Sequence, residues 1–99
     1  MEKENQEQPL QVEIDDQTAR GQYANMALIT HSETEVLFDF LFLQPQSPKT
    51  KVLSRVISSP VHAKRFLWAL QENIAKYEER FGKIDAEQHL AGSKAGFYQ

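Results

Sequence analysis

The residues of this chain whose types could do chemistry are few and scattered. His31, His62 and His89 fall in a turn, at a helix start and in a tail. None stands at the spacing of a metal site: there is no HExxH, no His/Cys cluster and no carboxylate–histidine spacing of a metal site. The chain has no cysteine, which removes thiolate ligands, a thiol nucleophile and a disulfide framework. Its serines lie in no GxSxG elbow, and no glycine-rich phosphate loop occurs. "THSETE" gathers Thr30, His31, Ser32, Glu33 and Glu35, a composition suited to a hairpin connection. The sequence therefore predicts no catalytic residues, no metal ligands, no cofactor and no enzyme.

Two groupings remain. Asp39 sits inside an apolar strand, and a register that pairs Leu43 with Lys51 sets it opposite Arg55. That makes a half-buried ion pair or, alternatively, a charged spot in a binding groove, which Asn25 could join. The second grouping is basic. Residues 1–16 carry Glu2, Glu4, Glu7, Glu13, Asp15 and Asp16 against Lys3 alone, whereas Lys49, Lys51, Arg55, Lys64 and Arg65 fall where no acid occurs between Phe40 and Gln71. Net charge is −3, so this is an acidic end followed by a basic middle. Such runs are ordinary solvated surface or the seat of an anionic partner. "SSPVHAKR" adds a helix start at Ser58, Ser59 and Pro60, with free N–H groups and a favourable dipole for anions.

The elements that position these residues are legible as patterns. A chain of 99 residues forms one small domain. Residues 1–9 are polar and acidic and read as a disordered tail. Nothing in them resembles an export signal, and no run approaches the roughly 18 apolar residues of a membrane span, so a cytoplasmic protein is expected. "LQVEID" alternates with period two and predicts a first strand. "QYANMALITH" predicts a second, "EVLFDFLFLQ" a third and "TKVLSRVIS" a fourth, with "QPQSPK" as a loop. Short links make them an antiparallel meander. Ser59 as N-cap, Pro60 at the first helical position and Gly82 as a left-handed cap bound a helix over 60–81. Ala63, Phe66, Leu67, Leu70, Ile74, Tyr77 and Phe81 form its apolar stripe. The expected fold is α+β: a four-stranded antiparallel meander followed by one long helix packed on the sheet, over residues 10–84, with a polar tail over 85–99.

The third strand sets the functional question. Val36, Phe38, Phe40 and Phe42 point one way, Leu37, Leu41 and Leu43 the other. One helix of about 10 Å diameter covers part of one face of a sheet about 19 Å wide. The remaining apolar surface exceeds what soluble monomers tolerate, so a homodimer or higher assembly is expected. Trp68 lies about 160° from Leu70 on the wheel, with Val61 beside it and Lys64 and Arg65 on the flanks. It either packs on the stems of Lys64 and Glu72 or anchors a contact with another subunit or partner. Val61, Lys64, Arg65 and Trp68 are thus the candidate interaction surface.

The run from Tyr23 to Gly82 resembles a family of short bacterial domains catalogued as proteins of unknown function. The matching features are Tyr23-Ala24-Asn25, Thr30-His31-Ser32, Asp39-Phe40, the loop proline, Ser54-Arg55, Pro60, His62-Ala63-Lys64-Arg65, Leu70, Asn73-Ile74 and Tyr77-Glu78. The resemblance implies no activity, ligand or catalytic residue. In element order the chain is also similar to the export chaperone SecB, whose subunit runs four antiparallel strands and then a helix and assembles into an oligomer. The function expected is a non-catalytic, homo-oligomeric protein-interaction module with chaperone-like binding of another protein or peptide. The alternative is a nucleic-acid or phosphate binder using the basic 49–65 segment.

Overall fold

The computed structural model describes residues 9–87. The tails expected over 1–9 and 85–99 lie almost wholly outside the described residues, and His89 lies there too. The element order is α1 (Asp16–Ala19), β1 (Met26–His31), β2 (Val36–Leu41), β3 (Val52–Ser58) and α2 (Pro60–Phe81). The strands form one antiparallel sheet in the order β1-β2-β3. The architecture is α+β, a three-stranded meander followed by one long helix.

The predicted first strand is the main correction. Residues 10–15 join no sheet. Leu10, Val12 and Ile14 are 86%, 82% and 63% exposed. Asp15 instead caps α1, accepting the Thr18 N–H at 3.2 Å. Alternation gives a segment two faces, but it makes a strand only when a neighbouring edge completes its hydrogen bonds. Losing that strand also weakens the likeness to SecB, which rested on four.

The hairpins follow local chemistry. Between β1 and β2, Ser32 closes the turn: its N–H donates to Glu35 O at 2.9 Å, and its Oγ accepts from Thr34 and Glu35 N–H. β1 begins later than "QYAN" suggests, because Asn25 continues the pairing with its side chain. Nδ2 donates to Leu43 O at 3.0 Å and Oδ1 accepts from Leu43 N–H at 2.7 Å. Tyr23 meets Phe42 edge-on, with centroids 5.8 Å apart. Between β2 and β3 the register places Asp39 opposite Arg55, then shifts at Phe40/Leu41, where Leu41 pairs with Val52. This bulge makes Leu53 the extra residue and prevents the expected Leu43–Lys51 pair.

The helix runs over the predicted residues. Ser59 Oγ accepts from His62 N–H at 3.1 Å, and Pro60 occupies the first turn. Gly82 has the expected positive φ of 103°, but its ψ of 161° is extended instead of left-handed helical. Its N–H still donates to Glu78 O, and the Glu78 carboxylate accepts from Ile84 N–H at 2.9 Å.

Phe38 meets Phe66 edge-on at 5.3 Å, which seats the first turns of α2 on the Phe38–Phe40 side of the sheet. The docking is shallow. No residue of α2 is buried, and Phe66, Leu67, Leu70, Ile74, Tyr77 and Phe81 remain 41–65% exposed. The expectation that the helix packs on the sheet holds only for its start. Among the described residues the buried apolar side chains are Phe38 and Leu41, both on β2.

Candidate interaction site

The central strand carries the charged pair. Asp39 is flanked on β1 by Leu28 and on β3 by Arg55. The guanidinium engages it bidentately, Nε to Oδ1 at 2.7 Å and Nη2 to Oδ2 at 2.9 Å. The Asp39 side chain is 10% exposed and that of Arg55 53%, so the carboxylate is shielded while the cation reaches solvent. The hydrogen bonds from Arg55 hold the Asp39 carboxyl below its ordinary range, against the opposing pull of desolvation. In turn Asp39 raises Arg55. Both oxygens are satisfied within the sheet, an arrangement that fixes register. Asn25 does not join them, since it is committed to Leu43.

The second grouping lies on the first turns of α2. Pro60, Val61, Lys64, Arg65 and Trp68 line an open depression of about 420 Å³. Ring and ammonium are in cation–π range, with Lys64 Nζ 5.9 Å from the Trp68 centroid. Trp68 is 57% exposed, on the side away from Phe66. Glu72 reaches toward Lys76 at 3.8 Å.

As an anion site the helix start is poorly supplied. Pro60 has no N–H, His62 N–H is taken by Ser59 Oγ, and Ala63 N–H by Ser59 O at 2.9 Å. Of the basic segment, Arg55 is engaged with Asp39.

A third feature was not foreseen. Phe38, Phe40, Val56, Ser58, His62 and Phe66 enclose an apolar cavity of about 250 Å³ between sheet and helix start. The signal was the Phe38/Phe40 row together with Phe66 on the helix stripe; what sequence alone lacked was the depth at which the helix sits. No group of three or more His, Cys, Asp or Glu residues able to hold a metal occurs among the described residues. Nor is any helix there long and apolar enough to cross a membrane.

No curated protein and no solved structure matches the chain. Residues 1–86 match the family described as Protein of unknown function (DUF3467), and the chain belongs to that family.

Proposed function

We propose that this protein is a non-catalytic, homo-oligomeric interaction module whose apolar surfaces are completed by further copies of itself. The observation that carries the reading is the uncovered helix stripe. Six large side chains, Phe66 through Phe81, remain 41–65% exposed along one face of α2. Full burial of such a side chain stabilises by about 2 kcal/mol. Roughly half of that is unrealised at each, or about 6 kcal/mol for the row. Small domains have a net stability of only about 5–15 kcal/mol, so this shortfall decides between a marginal monomer and a stable assembly. Packing two such stripes against each other supplies it. The Trp68 face, on the other side of the helix, then stays available to a second subunit or to a protein or peptide client.

Sedimentation equilibrium tests the reading. A multiple of 11.4 kDa at micromolar concentration is expected; a well-folded monomer there overturns it. Binding of unfolded clients or of an apolar dye by the intact oligomer separates chaperone-like capture from self-association alone.

The alternative, an anion or nucleic-acid binder on residues 49–65, is favoured by Lys64 and Arg65 beside the Trp68 depression. A gel shift at low salt that fades steeply as salt is added is its signature. The acidic sum and the occupied helix start argue against it.

A further inference from the structure

We propose that residues 10–15 of one copy add as a strand to the outer edge of β3 in a second copy. This rests on the oligomeric reading above and names the contact that would accompany helix packing. "LQVEID" alternates Leu10, Val12 and Ile14 with Gln11, Glu13 and Asp15. It lies within the extent of the family match, yet Leu10 and Val12 are the most exposed large apolar side chains among the described residues, and Ile14 is 63% exposed. A two-faced segment held in water is a strand without an edge.

The edge is present on β3. Among the described residues that strand pairs only with β2, so its outer N–H and C=O groups form an open row there. Natural edges are usually guarded by lysine, proline or a bulge. Here the bulge sits at the start, beside Leu53, and leaves Ser54 to Ser58 clear. No lysine or proline falls within Val52–Ser58, while Val56 and Ile57 are exposed.

Charge selects both the edge and the face. Val56 borders the apolar cavity with Phe38, Phe40 and Phe66, whereas Arg55 points to the opposite side. An added strand with Leu10, Val12 and Ile14 on the Val56 side extends the cavity wall. Its alternate residues then bring Glu13 and Asp15 to the side of the half-exposed Arg55 guanidinium, with Lys51 just before the strand. The reverse orientation sets two carboxylates over an apolar cavity. The other free edge, β1, offers no lysine or arginine within Met26–His31.

A second copy is the fitting donor. Residues 10–15 lead through α1 and the Gly21 turn (φ 76°) into β1, which lies on the far edge from β3. Within the single chain the segment does not take the β3 edge, since Leu10, Val12 and Ile14 stay exposed, and a second copy is the donor that would bury them.

The chain has no cysteine, so disulfide trapping is clean. Chains carrying Val12→Cys are mixed with chains carrying Val56→Cys and oxidised. A crosslinked species of twice 11.4 kDa is expected, and none when Val12→Cys is mixed with Thr30→Cys on β1. A Val12→Cys/Val56→Cys double variant that yields only a crosslinked single chain overturns the proposal, as does preferential trapping at Thr30→Cys. Val12→Asp, at a side chain exposed in the single chain, is expected to weaken self-association roughly tenfold or more while helical circular dichroism persists. If Val12→Asp assembles like wild type and no trap forms at Val56→Cys, the strand addition fails while assembly through α2 stands. If wild type is monomeric, both fall.

Discussion

At the scale of single residues, the Asp39–Arg55 pair has a defined pH signature. Arg55 lowers the folded carboxyl below its unfolded value, so the stabilisation is complete above the unfolded pKa, near 3.9. It declines as pH falls from there toward the folded pKa, and it is absent below both. Asp39→Asn is therefore expected to lower the melting temperature at neutral pH, with the gap to wild type closing below about pH 4; a gap unchanged in acid contradicts the assignment. The pair itself was legible in the sequence, because one acid in an apolar strand needs a cation at the same register. Asn25 was not. Its two bonds to Leu43 depend on where β1 ends, which periodicity locates poorly. Trp68 belongs to this scale too. With the indole more than half exposed, Trp68→Ala is expected to change monomer stability by no more than about 1 kcal/mol. If it anchors a contact it should weaken association by about 2 kcal/mol, measurable as a shift in dissociation constant. A large loss of stability with association intact would make the residue part of the core instead.

At the scale of elements, the helix was read correctly because its limits are written in local chemistry, Ser59-Pro60 at one end and Gly82 at the other. Gly82 tests this directly. Apart from its chain neighbours, no atom lies within 4 Å of the Cβ that a substitution would add, so alanine has room. The backbone at φ 103°, ψ 161° is nonetheless a region nearly restricted to glycine. Gly82→Ala is expected to destabilise by roughly 1–3 kcal/mol, seen in urea titration as a lower midpoint at unchanged slope; a neutral effect would mean the chain leaves the helix another way. Residues 10–15 show the opposite case. Period two was a true property of the segment, but strand formation is decided by a partner edge. Nothing in a single chain's sequence says whether that edge is its own. The depth of helix docking escaped for the same reason: the stripe marks an apolar face of α2, not what that face meets.

At the scale of the whole molecule, one fact connects the sheet, the helix and the leading segment: each leaves apolar surface that the other described residues do not cover. β2 holds the buried residues Phe38, Asp39 and Leu41, and burial falls away on both sides of it. Such a chain should have a stability inseparable from its concentration, since what binds the folded state and not the unfolded one raises the melting temperature by mass action. Leu70→Asp and Ile74→Asp test this on the stripe, one and two turns beyond Phe66, with Ile74 the one further removed from the Phe38–Phe66 contact. Each sets a carboxylate where two helices are proposed to meet, and a buried unpaired charge is costly. The wild-type melting temperature is expected to rise with protein concentration. Each variant should sediment as 11.4 kDa and lose that concentration dependence, while the sheet hairpins keep the Asp39–Arg55 signature. Variants that stay oligomeric would show that the stripe is not the required contact and would leave strand addition at β3 or the Trp68 face to hold the assembly. A wild-type melting temperature independent of concentration, with a monomeric mass, would mean that this helix is stable in water with its apolar side uncovered.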